Sequence, residues 1–151
     1  MLRQLLEALV SKEVGWKLSD IHLFGWGQGG TVTLELASHV SFKPLSPEQS
    51  KRFGSVVSVC APILSSPSTI SQTPALTFTR ISPSSAAYQR QVTNLKKGFK
   101  DVEVINGEKG KGGEDMPRGR NEWEGIMRFW GKVLAKDEGW KGEGEVYEVV
   151  R

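Results

Sequence analysis

The run I-H-L-F-G-W-G-Q-G-G-T-V-T-L-E-L-A, from Ile21 to Ala37, decides the fold. A short apolar stretch enters a knot of glycines and leaves with helical periodicity. Such a pattern marks a strand turning sharply into a helix. Two functional turns have this form: a cradle for phosphate and an elbow that presents a nucleophile.

Working outward, Leu2, Leu5, Leu6 and Leu9 predict an amphipathic helix ending near Gly15, and Leu18 to Phe24 a buried strand. Beyond the glycines, Val32, Leu36, Ala37 and Val40 place an apolar stripe on a second helix. Pro44 and Pro47 mark a loop, and Pro47-Glu48 suits a short helical turn. Gly54 to Ala61 reads as a second strand, its Val56, Val57 and Val59 dense enough for burial on both faces. A Ser/Pro-rich connection, Pro62 to Thr73, leads to a third strand at Ala75 to Thr79. A helix from Ser84 to Lys97, capped by Gly98, follows. Asp101 to Ile105 predicts a fourth strand. After the glycine-rich loop Asn106 to Arg120 comes a helix from Asn121 to Lys136, with Trp123, Ile126, Met127, Trp130 and Leu134 on its inner side.

Alternating helices and strands predict an α/β class: a three-layer parallel sheet of about four strands with helices on both faces. Residues 1–136 read as one domain and 137–151 as a polar tail, in which E-V-Y-E-V-V suits a strand if it finds an edge. Exposed edges of buried-type strands are an aggregation hazard. Either a segment upstream of the first helix or another chain is therefore expected to cover one.

The chain has 151 residues, 38% of them hydrophobic, 25% charged, with a formal charge of +3. Its short basic clusters, Lys96-Lys97 and Arg118 with Arg120, are flanked by Asp101, Glu114 and Glu122, which argues against nucleic-acid binding. A single cysteine, Cys60, excludes an intramolecular disulfide and a cysteine metal cluster, and reads as a small buried hydrophobe. Apolar runs are too short for a membrane span, and the N-terminus does not read as a signal peptide. A cytoplasmic chain without cofactor or metal is expected.

As a phosphate cradle, Gly25, Gly27 and Gly30 satisfy G-x-G-x-x-G. The required acid at the end of the second strand is missing, since Ser58 to Pro62 carries none and Glu48 lies in a loop. A nucleotide-binding module at Gly25 to Gly30 is the weaker alternative. Glu108 to Gly113 lacks the phosphate-binding spacing G-x-x-x-x-G-K-[ST] and reads as a flexible loop.

As an elbow, Gly25-Trp26-Gly27-Gln28-Gly29 has both glycines of G-x-S-x-G, with Gly27 at the nucleophile position. H-L-F-G-W-G-Q-G-G-T-V-T-L-E resembles the elbow of the phospholipase/carboxylesterase/thioesterase family of α/β-hydrolases, which typically reads G-F-S-Q-G-G. The likeness is to acyl-protein-thioesterase-like members and their fungal serine-hydrolase-like branch. G-S-V-V-S-V-C-A-P-I-L, T-P-A-L-T-F-T-R, K-K-G-F-K-D-V-E-V-I and W-E-G-I-M-R-F-W resemble the elements that follow. The resemblance covers most of Leu2 to Leu134 and implies the C-terminal portion of that fold, truncated before the N-terminal strands.

The resemblance also implies roles. Gly27 stands at the nucleophile and Gln28 supplies an oxyanion N–H. Gly25, Trp26, Gly29 and Gly30 shape the mouth, where Trp26 faces an apolar ligand. The acid belongs in the loop R-I-S-P-S-S-A-A-Y, which has neither Asp nor Glu. A histidine belongs between Asn106 and Arg120, which has none; Asp115 is nearest by position and cannot replace an imidazole at neutral pH without a large pKa shift. His22, in the strand, reads as a satisfied core or sheet-face residue, and His39 as a solvated helix end. Ser55, Ser58, Ser65, Ser66, Ser82, Ser84 and Ser85 lack a glycine-flanked turn, and Cys60 lacks a base. The expectation is a hydrolase scaffold without hydrolase machinery, holding a small apolar or acyl ligand, or covered at its edge by a protein partner or a second copy. A weak ester or thioester hydrolase using a non-standard site is the enzymatic alternative.

Overall fold

A computed structural model describes residues 2–39, 52–108 and 115–135. The elements run α1 (Leu2–Leu9), a 3-10 turn (Leu18–Asp20), β1 (His22–Trp26), α2 (Gln28–Ser38), β2 (Ser55–Val59), β3 (Ala75–Thr79), α3 (Ala86–Gly98), β4 (Val102–Asn106) and α4 (Gly119–Ala135). The four strands pair in the order β1-β2-β3-β4, all parallel. The α/β class with a four-stranded parallel sheet is as the sequence predicts. Val40, the Pro44–Glu48 loop, residues 109–114 of the glycine-rich loop and the tail with E-V-Y-E-V-V lie outside the described residues.

Two apolar clusters show the three layers. On one face Leu6, Leu34 and Leu95 pack around Val56 and Ala75 and bring α1, α2 and α3 onto the sheet. On the other, Ile126 and Phe129 of α4 pack on Val57, Val59, Leu76 and Phe78. All five residues of β2 and of β3 are buried, because both strands have a neighbour on each side and helices above and below. β4 is only half-buried until the exposed Asn106, as an edge strand must be.

Several boundaries differ from the sequence expectation. α1 ends at Leu9, and Gly15 closes a separate turn at φ 75°, its N–H donating to Ser11 O at 2.7 Å. The first strand starts at His22, not Leu18, because the Asp20 carboxylate accepts the Lys17 N–H and winds Leu18–Asp20 into a turn. Leu18 and Ile21 are still buried, which is why they looked like strand. In α2 the buried side is Gly30, Leu34, Ala37 and Ser38, and Val32 is exposed, since Gly30 sets the rotation by lying against β2. Ser85 caps α3, its hydroxyl accepting the Tyr88 N–H, while Gly98 is the last helical residue, pressed against Pro67. In α4 Ile126 and Phe129 are buried against the sheet with Trp123, Trp130 and Val133 packed beside them, whereas Met127 and Leu134 are exposed.

Candidate functional site

The chain turns sharply from β1 into α2 at Gly27. Gly27 adopts φ 55°, ψ −128° as the N-cap of α2, a conformation that side chains adopt only under strain. Its N–H donates to Val59 O at 3.0 Å, which ties the turn to the end of β2. A Cβ built on Gly27 meets nothing within 4 Å, so the position is open, with no side chain to present.

Its neighbours are glycines for steric reasons. A Cβ on Gly25 would overlap the carbonyl of Gly29 and reach the Gly30 nitrogen at 2.6 Å. One on Gly30 would lie 2.7 Å from Ser58 Oγ and 2.9 Å from Ala61 Cβ. Gly29 itself is unconstrained, so close approach is carried by Gly25 and Gly30. Thr31 Oγ1 donates to Pro62 O at 3.0 Å, and Glu35 Oε1 accepts the N–H groups of Leu64 and Ser65 at 2.7 and 2.8 Å. Burial raises the Glu35 pKa, but hydrogen bonds from Ser65 and Leu64 outweigh it and leave the carboxyl below its ordinary range. Together these bonds lock α2 to the loop after β2. Trp26 and Gln28 are exposed beside the turn.

Ligand-binding edges of parallel sheets lie at the carboxyl ends of the strands. After β2 comes Cys60, with φ 53° and half-buried, not the fully buried hydrophobe expected. Its N–H donates to Phe78 O at 2.7 Å and its thiol to Asp115 O at 3.4 Å. Burial pushes the Cys60 thiol pKa up, against the pull of the nearby Arg80 charge. Iodoacetamide at pH 7.5 should therefore alkylate native Cys60 about tenfold more slowly than the urea-unfolded chain. Equal rates would show a thiolate that the geometry does not support.

After β3, in the loop where the resemblance expects a triad acid, stands Arg80. Its guanidinium is enclosed: Nη1 and Nη2 donate to the Glu122 carboxylate at 2.6 and 2.8 Å, Nε to Asp115 O, Nη1 also to Glu108 O, and Nη2 also to Met116 O. The two side chains are 6% and 11% exposed. Glu122 also accepts the N–H groups of Glu108 and Arg118. The Arg80 hydrogen bonds hold the Glu122 carboxyl at a pKa of about 2, and Glu122 raises that of Arg80. One ion pair thus fastens the ends of β3 and β4 to the start of α4. Sequence reading missed it; Arg80 was visible, but its partner lies 42 positions away.

The remaining candidates are not brought together. The Asp115 carboxylate pairs with Arg118 at 3.0 Å, while its carbonyl holds Cys60 and Arg80. His22 shares a 2.8 Å hydrogen bond with the buried Ser55 hydroxyl, at the opposite, amino end of the strands. His39 ends α2 against Ser38 and Glu35 and is exposed. Ser58 donates to Ala61 O, and Ser82 and Ser84 bond each other. One cavity of about 290 Å³ opens at the amino end, between His22, Asp101, Phe129 and Lys132. Another of about 300 Å³ lies at the start of α4, beside Arg80 and Arg118. Neither is lined by Gly25 to Gly30. No cluster of metal-ligating side chains occurs among the described residues, and none of their helices is long and apolar enough to cross a membrane.

Compared with known proteins, the chain is 32% identical over 149 residues to an uncharacterized hydrolase of Mycosarcoma maydis. The alignment takes in 96% of this chain and 53% of that protein, so the chain spans about half the length of the curated relative it matches. No family model and no solved structure matches. The likeness supports a hydrolase relationship.

Proposed function

We propose that the chain is a catalytically silent relative of the carboxylesterase and acyl-thioesterase hydrolases, corresponding to the stretch from elbow to closing helix, with residues 1–136 as its domain. Gly27 carries this reading: the strained turn is kept, and the residue at its tip has no side chain. Acyl transfer by a triad needs a nucleophile, a base within hydrogen-bond reach and an acid to orient that base. Here Gly27 stands at the first position, Arg80 occupies the loop of the third, and both histidines of the chain lie elsewhere. Without a triad an otherwise intact site retains only about 10³ to 10⁴-fold acceleration over water. Such a scaffold acts through contact, with a small apolar or acyl ligand beside Trp26 or with another protein, in the cytoplasm.

A fluorophosphonate probe tests this on the purified chain. No serine should label, and Gly27→Ser should fold yet remain unlabelled, because a hydroxyl there has no imidazole to take its proton. Because the substituted Cβ has open space, the substitution should cost only backbone strain, roughly 1 to 3 kcal/mol. Esterase turnover by the native chain, or labelling of the serine variant, would overturn the silent reading.

A further inference from the structure

The acids of this chain are unevenly placed. None of its 17 Asp and Glu residues falls between Glu48 and Asp101, while Arg80, Arg90, Lys96, Lys97 and Lys100 do. Burial explains part of the gap, since β2 and β3 are buried throughout. It does not explain α3 or the connection 62–73, where many side chains reach solvent. α3 has no acid; its exposed side carries Arg90, Lys96 and Lys97, with Lys100 just beyond its end. The three lysines form no ion pair among the described residues. The Arg90 Nε donates to Ala86 O of its own helix. Arg80, by contrast, is neutralised by Glu122.

Two exposed aliphatic side chains stand beside these charges. The connection 62–73 runs between α2 and α3. On the α2 side Thr31 bonds Pro62, Glu35 bonds Leu64 and Ser65, and Ser71 Oγ donates to Ala37 O. On the α3 side the Ser71 N–H donates to Gly98 O at 2.8 Å, and Ser71 O accepts the Lys100 N–H at 3.0 Å. Pro67 closes against Gly98. Arg90, Asn94 and Lys97 share one stripe of α3, and Asn94 is also one turn from Gly98, so the stripe borders the connection. Leu64 and Ile70 of that connection are 75% and 60% exposed. The bordering carboxylates do not cancel the four cations: Glu35 is tied to the Leu64 and Ser65 N–H groups, and Asp101 follows Lys100.

We propose that α3 and the connection 62–73 form a docking surface for an anionic lipid bilayer. Arg90, Lys96, Lys97 and Lys100 lie against the headgroups, and Leu64 and Ile70 enter between them. Charge complementarity selects this partner, because unpaired lysines are attracted to anionic headgroups within a Debye length. Aliphatic side chains beside them add apolar burial in the headgroup region. A single-stranded nucleic acid would call for aromatic rings on which bases stack, and the large exposed side chains here are aliphatic. Contact is peripheral, since no described helix is long and apolar enough to cross the bilayer. The surface is independent of the glycine turn and of the silent-hydrolase reading.

Vesicle flotation of the full chain tests this, comparing phosphatidylcholine alone with a phosphatidylcholine–phosphatidylserine mixture. The chain should float with the anionic vesicles, less so as salt is raised, and stay behind with the neutral ones. Lys97→Glu/Lys100→Glu should bind at least about tenfold more weakly. Ile70→Ser should bind severalfold more weakly. Arg120→Glu/Arg128→Glu makes the same change of net charge on α4, at the opposite face of the sheet, and should bind like the native chain. If the glutamates unfold α3, Lys97→Gln/Lys100→Gln is read by the same comparison. No binding to anionic vesicles, equal binding to neutral ones, an equal loss in the α4 variant or an unchanged Ile70→Ser would each overturn the proposal. So would single-stranded RNA that binds through the same lysines and displaces the vesicles, since the surface would then serve a nucleic acid.

Discussion

Arg80→Met is expected to destabilise the chain by about 3 to 5 kcal/mol, because it leaves the Glu122 carboxylate buried without its partner. For a chain of this size that lowers the melting temperature by roughly 10 °C. The loss does not measure what the pair is worth. Replacing both partners together, Arg80→Met with Glu122→Leu, should cost less than Arg80→Met alone, since no charge is then stranded. The two single losses and the double define a thermodynamic cycle, read by urea unfolding at pH 7. An Arg80→Met loss under 1 kcal/mol would show that the pair is solvated and no clamp.

The same pair fixes a pH dependence. Glu122 has a folded pKa of about 2 against 4.5 for the free side chain. Between these values the unfolded chain binds more protons, so stability rises with pH. The contribution is complete above about 4.5 and disappears as pH falls through 2. Allowing for solvent screening, it amounts to roughly 2 kcal/mol. Glu35 is depressed in the same direction, so native protein alone cannot isolate Glu122. Glu122→Gln can: between pH 7 and pH 3 it should lose less stability than the native chain. Parallel losses would assign the acid sensitivity to other carboxyls.

What was legible in the sequence follows from the range of each interaction. The glycine turn and the valine-rich strands β2 and β3 are local patterns, and the order of elements made the sheet parallel. Helix faces were less legible. Val32, Met127 and Leu134 are apolar by periodicity yet exposed, because Gly30 packing on β2 and Gly125 packing on Ile105 set how α2 and α4 rotate. The Arg80–Glu122 pair was illegible, since it depends on the end of β3 meeting the start of α4 across 42 positions. At the turn, sequence could place the glycines. It could not show that Gly27 takes a strained backbone conformation.

Close backbone packing makes Gly25 the most sensitive glycine of the turn. Gly25→Ala should cost on the order of 3 kcal/mol or more, since its methyl would overlap the Gly29 carbonyl, which is backbone and cannot rotate aside. To relieve the overlap α2 must lift from β1, and Gly30 then loses its close contact with Ser58 and Ala61. Gly29→Ala is the matched control. It adds the same methyl one turn-width away, where nothing lies within 4 Å, and it replaces glycine in a helix by a better helix former. It should be neutral or stabilising by up to about 1 kcal/mol. Chemical denaturation of both variants separates two explanations of the glycine knot. If glycine is kept for close packing at the elbow, only Gly25→Ala fails. If the turn is merely a flexible glycine-rich loop, both tolerate alanine alike, and the elbow reading falls with them.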